Sequence, residues 1–324
     1  MRIVQWIALA LAVFAAPMAQ AQPAVDYPTA PVRLLVPFAA GGPTDVVARI
    51  LGELLSARWG GKTVLIENRP GAGTILASAA VAKAPPDGLT LLVATNSLLI
   101  NPAIAKSLPY DTAKDFAPVS MIAVQPMALV ANKAFEGSTV ADVVAEAKKQ
   151  PTNYTSTGPR GVGDLAGQML KQHARIPAEN FTHINYNGSA PALTDVIAGR
   201  VPLMFDIWHS ARRYVESGEL KLIASASAER LPGAANVPTV AESYPGVEVI
   251  AFNAIVAPGG TPAPILDRLS ADIRAIVASD AFKDKTKNLG INSFGNTPGE
   301  LTAWMLREIE RWKEVTKASN IKSE

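Results

Sequence analysis

The segment Arg33–Ile50, RLLVPFAAGGPTDVVARI, carries the residues of this chain that are best placed to bind an anion. An apolar run breaks at Gly41-Gly42 into a segment with helical periodicity. A strand, glycine turn and helix of this kind points unpaired backbone N–H groups into a cleft, where they can hold an anion. The glycines let the main chain approach closely, and Thr44 or Asp45 can cap the first turn. The alternative is an ordinary turn between a strand and a helix.

The composition of this loop favours a small, weakly charged group such as a carboxylate. No lysine follows the glycines, as it would in a nucleotide-binding P-loop.

The chain lacks the usual catalytic and metal-binding motifs. It has no cysteine and no G-x-S-x-G nucleophile elbow, and His173, His183 and His209 lack metal-ligand spacing. We therefore expect no catalytic residue, no metal and no cofactor. Two carboxylates that are distant in sequence can still meet in the fold and act as acid and base, so a secreted enzyme is kept as an alternative.

The N-terminus has the pattern of an export signal. It combines a positive start, an apolar run over Ile3–Ala16, and small residues at Ala19 and Ala21. Residues 1–21 are predicted to be a signal peptide that is cleaved after Ala21. An uncleaved anchor is the alternative, which the shortness of the apolar run disfavours. The mature protein is therefore expected to work outside the cytoplasm.

Composition restricts the protein class further. With 324 residues, 48% of them hydrophobic, the chain can build a core without disulfides, and its length suits two domains. The formal net charge is only +2, and no basic cluster stands out. Nucleic acid is therefore not an expected partner.

The order of predicted elements indicates an α/β fold. Strands are predicted at Val32–Val36, Val64–Glu67 and Leu89–Ala94, alternating with helices at Thr44–Trp59 and Thr74–Lys83. Such alternation requires a parallel sheet with helices on its faces.

A second strand–helix series follows, beginning with a strand predicted at Met127–Val130, and the C-terminal block is mainly helical. Because that block lacks the alternation of an independent domain, we expect it to pack on the first unit. Lobe 1 is then discontinuous, with residues 22–124 and 247–324, and lobe 2 contains residues 125–246. Two crossings, near Ala123–Met127 and Gly246–Val249, are expected to form a hinge.

Two lobes joined in this way place their strand ends across a shared cleft. Ligands in such sheets lie beyond the carboxyl ends of the strands. In the first lobe this rule selects Phe38–Thr44 and Thr95–Ser97. In the second lobe it selects Thr155–Gly161, Tyr186–Ala190 and Asp206. These loops are rich in glycine, hydroxyl and amide groups, which suit a small polar solute.

Six stretches that cover nearly the whole mature chain resemble those of a known family: YPTAPVRLLVPFAAGGPTDVVAR, VLIENRPGAG, AKAPPDGLTLLVATNS, LPYDTAKDFAPVS, INYNGSAPALTDVIAGRVPLMFD and NVPTVAESYPG. In these stretches, their order and their spacing, the chain resembles the periplasmic solute-binding proteins of tripartite tricarboxylate transporters, the Bug family. The resemblance implies a type II periplasmic-binding fold, in which two α/β lobes close on a small organic anion across a two-crossing hinge.

The resemblance also implies a function. A periplasmic protein of this kind captures a small carboxylate, such as a di- or tricarboxylate, an amino acid or an aromatic acid, and delivers it to a membrane permease. Backbone N–H groups and ordered water typically hold the carboxylate in this family. The expected protein is a monomer and not an enzyme. Docking on a sensor-kinase ectodomain is an alternative to transport.

Carried onto this sequence, the resemblance places the first carboxylate loop at Phe38–Thr44, with Phe38 as an apolar wall, and the second loop at Thr155–Gly161. The full set of candidate ligand-binding residues is Phe38, Ala39, Ala40, Gly41, Gly42, Thr44, Asp45, Thr95, Asn96, Thr157, Gly158, Arg160, Gly161, Gly188, Ser189, Ala190 and Asp206.

Two of these positions have competing interpretations. The second loop departs from the family pattern of serines, glycines and threonines, because Pro159 and Arg160 stand there. Arg160 reaches a distal acidic group of the ligand, points to solvent, or pairs with Asp164. Asp206 holds an ammonium or hydroxyl group of the ligand, or it caps the helix that follows.

Overall fold

The protein is described by a computed structural model that places residues 26–157, 161–186, 188–287 and 291–318. The predicted signal peptide and its cleavage site lie outside the described residues, as do Gly158 and Arg160 of the second ligand loop.

The first part of the chain has the predicted alternation of strands and helices. Its elements are β1 (Val32–Val36), α1 (Pro43–Arg58), β2 (Val64–Asn68), α2 (Ile75–Ala82), β3 (Thr90–Ala94) and α3 (Asn96–Ile104). β1 pairs in parallel with both β2 and β3. The predicted parallel sheet is therefore confirmed, whereas α3 was not predicted, because Pro102 inside it reads as a helix breaker.

The remaining elements follow in chain order: β4 (Phe116–Asn132), α4 (Val140–Lys149), β5 (Tyr154–Ser156), α5 (Val162–His173), β6 (His183–Ile184), α6 (Ser189–Ile197), β7 (Leu203–Ile207), α7 (Trp208–Glu216), β8 (Leu220–Ser225), α8 (Val240–Ser243), β9 (Ile250–Pro258), α9 (Ala263–Ala278), α10 (Asp280–Lys287), β10 (Asn292–Ser293) and α11 (Pro298–Ala318). Short 3₁₀ turns occur at Ala72–Thr74 and Ala178–Asn180.

The long strand β4 connects two groups of strands. The strand order is β2-β1-β3-β9-β4-β7-β5-β6, and β8 and β10 also pair with β4. The first part of β4, Phe116–Pro126, pairs with β9, and the second part, from Met127 onward, pairs with β7 and β8. The prediction of a strand only at Met127–Val130 was too short. β4 is almost wholly buried, so it lacks the polar alternation that would mark its full length.

Helices cover both groups of strands. On one face of the first group, Val47 and Leu51 of α1 and Ile273 of α9 form a core with the strands. The C-terminal helix α11 packs on α3 and β4, and its Trp312 is buried. In the second group, Leu165 of α5 packs on one side of the strands, while α6 and α7 pack on the other. Within the described residues, no helix has both the length and the apolar character needed to cross a membrane.

Candidate ligand-binding cleft

The pairing registers show that the carboxyl ends of the two groups of strands point toward each other. Ala94, at the end of β3, is level with Ala254, which is level with Met121 of β4. Ile207, at the end of β7, pairs with Met127 of the same strand. β3 runs in the direction of β4 and β7 runs against it, so their ends face each other across six residues of β4. At about 3.3 Å per residue this separation is roughly 20 Å, enough for a small-molecule cleft.

The first predicted loop lies between β1 and α1, at this edge. Gly41 has a φ of 84°, a left-handed conformation that glycine adopts without strain. Within the described part of the chain, the backbone N–H groups of Ala40, Gly42 and Thr44 have no hydrogen-bond partner. Phe38 is 38% exposed, and its role as an apolar wall stays a prediction. The loop therefore offers several donors and one apolar surface to the cleft.

Asp45 does not cap α1, nor does Thr44, so the prediction of a side-chain cap was wrong. The N-cap residue is Gly42, without a side-chain hydrogen bond. The buried Asp45 instead accepts the N–H of Gly41 at 2.8 Å and hydrogen bonds from Arg49 and Asn68. Burial alone would raise the pKa of Asp45, but these hydrogen bonds lower it below its ordinary value. Asp45 therefore holds the loop in shape from behind.

Thr44 connects the first loop to the strands that pass between the two groups. Its Oγ1 accepts a hydrogen bond from the Nδ2 of Asn253 on β9 at 3.3 Å. The Oδ1 of Asn253 accepts one from Nε2 of Gln125 on β4 at 3.1 Å. Asn253 and Gln125 are both buried, so this chain of amides fixes the start of α1 against β4 and β9.

The loop after β3 is also tied to β9. Asn96 donates from Nδ2 to the carbonyl of Ile250 at 2.8 Å, and its Oδ1 accepts the N–H of Phe252 at 3.2 Å. Thr95 is the N-cap residue of α3, and its buried Oγ1 has no partner among the described residues. The Asn96 side chain is thus engaged with β9, and the first turn of α3 is the group that this loop presents.

The ends of the second loop converge on His183. Ser156 ends β5 and Asp164 lies in the first turn of α5, so these residues bracket the loop that contains Thr157 and Gly161. The Nε2 of His183 lies 2.8 Å from the Oγ of Ser156, and Tyr154 donates to the carbonyl of Asp164 at 3.1 Å. This cluster holds the two ends of the loop together.

Ser156, His183 and Asp164 are the residue types of a nucleophile, a base and an orienting acid, but their geometry differs from that of a catalytic triad. The Nδ1 of His183 is 3.9 Å from the Oδ1 of Asp164, beyond hydrogen-bond distance. Ser156 is completely buried. Burial lowers the pKa of His183 despite the opposing effect of Asp164, so the ring is neutral at pH 7. The geometry of this cluster therefore fits a structural role in holding the loop and does not match a catalytic triad.

Gly188, Ser189 and Ala190 form the N-terminus of α6, next to Asp206 at the end of β7. The Oδ1 of Asp206 accepts hydrogen bonds from the Ser189 hydroxyl at 2.7 Å and from the N–H of Ile207 at 2.8 Å. Burial raises the pKa of Asp206 to about 7, although these two hydrogen bonds oppose the shift. α7 begins at Trp208, and no side chain caps its first turn, so the alternative that Asp206 caps it was wrong.

The predicted loops lead into four helices, α1, α3, α5 and α6, whose N-cap residues make no side-chain capping bond. By contrast, α4 and α8 begin with capping boxes that occupy their first N–H groups. α2, α7 and α9 also lack a side-chain cap, so an uncapped start does not by itself mark a ligand site; the four helices named here are those that the predicted glycine- and hydroxyl-rich loops lead into. Open helix N-termini at a shared cleft form an anion-binding arrangement.

The comparison with known proteins identifies the family. Residues 47–321 match the family described as the tripartite tricarboxylate transporter family receptor. The chain belongs to this family. A UPF0065 protein of Bordetella bronchiseptica is 34% identical to this receptor over 317 residues, which cover 98% of this chain and 92% of the relative.

Solved structures give the same result for the fold. R. palustris Rpa4515 with adipate is 33% identical, with a TM-score of 0.84, over 92% of this chain and 99% of its own. The periplasmic binding protein BugD is 32% identical, with a TM-score of 0.82, over 92% of this chain and 100% of its own. MatC (Rpa3494) from Rhodopseudomonas palustris with bound malate is 31% identical, with a TM-score of 0.79, over 89% of this chain and 99% of its own. The predicted Bug-family relationship and two-lobed α/β fold are confirmed.

Several residues that shape the cleft of this receptor were missed by sequence reasoning. Asn253, Gln125 and Asn68 fix the first loop, and Tyr154 and His183 fix the second. Asn253 and Gln125 had a usable signal, because each is a polar residue inside a mainly apolar strand. The roles of the others depend on neighbours that are distant in sequence.

Proposed function

We propose that this receptor captures a small organic carboxylate in the periplasm and delivers it to the membrane permease of a tripartite tricarboxylate transporter. The observation that carries the proposal is the set of four open helix N-termini at the facing strand ends. Rpa4515 and MatC, with adipate and malate, support a dicarboxylate as the first class to test. Export through the predicted signal peptide, cleaved after Ala21, belongs to this proposal.

The strength of such a site can be estimated. A hydrogen bond to a charged group contributes about 1.5–3 kcal/mol. Three or four N–H groups on one carboxylate, reduced by the free-energy cost of ordering ligand and loops, give about −8 kcal/mol, a micromolar dissociation constant. Affinity of this order suits a protein that must both bind and release its solute.

Lobe closure is part of the same proposal. Lobe 1 is assigned to residues 22–124 and 247–324, and lobe 2 to residues 125–246. The change of β4 partners between Pro126 and Met127 supports the first boundary. A ligand held by loops from both lobes favours the closed state, because only that state makes both sets of contacts.

A thermal-shift screen tests the capture of a carboxylate. The mature protein, residues 22–324, is heated with a panel of mono-, di- and tricarboxylates and with their amides. An acid at 100 times its dissociation constant is expected to stabilise the fold by about 2.7 kcal/mol, and its amide is expected to have no effect. Equal stabilisation by acid and amide would contradict recognition of a carboxylate.

Gly42→Val is expected to weaken binding of the acid found in that screen by at least about 100-fold, because valine covers the N–H groups at the start of α1. Loss of two charged hydrogen bonds, about 3 kcal/mol, gives that factor. The fold should tolerate the change: Gly42 has a φ of −79°, and an added Cβ would lie 3.7 Å from the carbonyl oxygen of Ala39. Calorimetric titration measures the effect.

The matched control is Gly299→Val at the start of α11, where an added Cβ meets nothing within 4 Å. This variant should bind the acid with unchanged affinity. If Gly42→Val also binds normally while remaining folded, the carboxylate lies elsewhere than the first loop.

A further inference from the structure

Ser189 is a partly exposed hydroxyl at the carboxyl edge of the second group of strands, and it is the first residue of α6. Its neighbour Asp206 is 0% exposed, and the Oδ2 of Asp206 has no hydrogen-bond partner among the described residues. A solute in the cleft therefore meets Ser189, while Asp206 acts on the solute only through that hydroxyl.

The direction of the hydrogen bond between Ser189 and Asp206 is determined by Ile207. The Oδ1 of Asp206 accepts the Ile207 N–H at 2.8 Å, as well as the Ser189 hydroxyl at 2.7 Å. The ionised carboxylate has no proton to give, so Ser189 is then the donor. In the neutral form the Ile207 N–H favours the carbonyl oxygen, which is a better acceptor than the hydroxyl oxygen of the acid, so Oδ1 is the carbonyl oxygen and the proton lies on Oδ2. Ser189 is thus the donor in both protonation states of Asp206.

This orientation decides what Ser189 offers to a ligand. Its single hydroxyl proton is directed at Asp206, so only its oxygen lone pairs remain available. An acceptor of this kind matches a ligand hydroxyl or ammonium group, and it repels a carboxylate oxygen. The first turn of α6 therefore differs from that of α1, where a carboxylate meets donors only.

Resting on the proposed function, we propose that Ser189 is a specificity residue and Asp206 its positioning residue, so that the receptor prefers carboxylates that carry a hydroxyl or ammonium group over the unsubstituted acids. Binding sites built to hydrogen-bond a substrate group reject analogues that lack it, because the protein group is left unpaired. Ser189 supplies that group here.

Calorimetric titration of matched acid pairs tests the inference. Malate is compared with succinate, aspartate with succinate, and 2-hydroxyglutarate with glutarate. The wild-type receptor is expected to bind at least one substituted acid at least tenfold more tightly than its parent. Ser189→Ala should bring this ratio close to one, and Ser189→Thr, which retains the hydroxyl, should restore it. Ser217→Ala, at an exposed serine after α7, is the matched control and should retain the ratio.

The positioning role of Asp206 has its own measurement. Asp206→Ala frees the Ser189 proton to donate, so the affinity ratio should fall even where a folded variant still binds the parent acid. Asp206→Asn retains an acceptor oxygen and should recover the ratio, which a merely structural role for the carboxyl would not predict.

The outcomes separate this inference from the proposed function. Equal wild-type affinities within every pair, or an unchanged ratio in Ser189→Ala, would overturn the inference and leave carboxylate capture intact. Absence of binding by every acid of the panel would overturn carboxylate capture itself, and the inference with it.

Discussion

The stability of Asp206→Asn relative to wild type is expected to rise as the pH rises from 5 to 8. Burial raises the pKa of Asp206 from 3.8 to about 7, so the folded protein holds a proton that the unfolded chain has lost in this window. Wild-type stability therefore falls as the pH rises between these two values. One pKa unit corresponds to about 1.36 kcal/mol, so the full effect is about 4 kcal/mol, of which about 3 kcal/mol falls between pH 5 and pH 8.

Urea unfolding of both proteins at several pH values measures this difference. Asparagine does not titrate, so its contribution to the free energy of unfolding does not change with pH. Its Nδ2 group takes the place of an oxygen without a partner, which costs about 1–3 kcal/mol at every pH. The pH dependence of the difference, and not its absolute size, is therefore the decisive quantity.

Asp195→Asn on α6 is the matched control, with the same change of charge at the surface. Hydrogen bonds from Tyr186 and Arg200 lower the pKa of Asp195, so it titrates below the window. The difference between this variant and wild type should be constant from pH 5 to pH 8. A constant difference for Asp206→Asn as well would mean that Asp206 is ionised in the folded protein throughout this range.

Gly167→Ala is expected to destabilise the protein by at least about 2 kcal/mol, although helix propensity alone predicts stabilisation. Alanine is favoured over glycine inside a helix by about 1 kcal/mol. Gly167 lies inside α5, however, and an added Cβ would overlap the ring of Tyr154 and lie 2.7 Å from its Oη. Overpacking of a filled core costs about 1–3 kcal/mol, and more when the neighbour cannot move.

Tyr154 has little freedom to move away. It is completely buried, its ring stacks on Phe181 with centroids 4.5 Å apart, and it meets Phe205 edge-on at 5.9 Å. Its hydroxyl donates to Asp164, so a displaced ring also loosens the end of the second loop. We therefore expect weaker ligand binding in Gly167→Ala beside the lower stability.

A double-mutant cycle with Tyr154→Val identifies the cause. If the tyrosine ring is the obstacle, Gly167→Ala should destabilise the Tyr154→Val background much less than the wild type, as measured by urea unfolding. Gly42→Ala provides a glycine control, because its added Cβ would be in ordinary contact at 3.7 Å. Equal destabilisation in both backgrounds would show that the conflict lies elsewhere.

The strand ends and glycine-rich turns of the cleft were predictable because they depend on local sequence. The run before Gly41-Gly42 forms β1, the helix after it begins within one residue of its predicted start, and β3 ends at its predicted residue, Ala94. Hydrophobic periodicity and turn-forming residues act over short stretches of chain, so a sequence displays them directly. The ordered stretches that resemble the Bug family add the two-lobed fold.

The roles of individual polar residues were not predictable to the same degree. Thr44, Asp45 and Asn96 all have side chains that suit a ligand, yet each uses its side chain to hold a loop. The partner of Thr44 lies 209 positions away along the chain, and Phe252 lies 156 positions from Asn96. Nothing in a local pattern can determine such pairings.

The sequence by itself determined the alternation of strands and helices in the first part of the chain, the turns that end those strands, and the family. Tertiary structure alone decided the continuity of β4 through the crossing, the uncapped start of α1 and the direction in which Ser189 donates. The physical reason is that a polar group bonds to whichever partner the packed chain brings within about 3 Å, and desolvation then determines its charge. Both conditions arise only after distant parts of the chain have packed together.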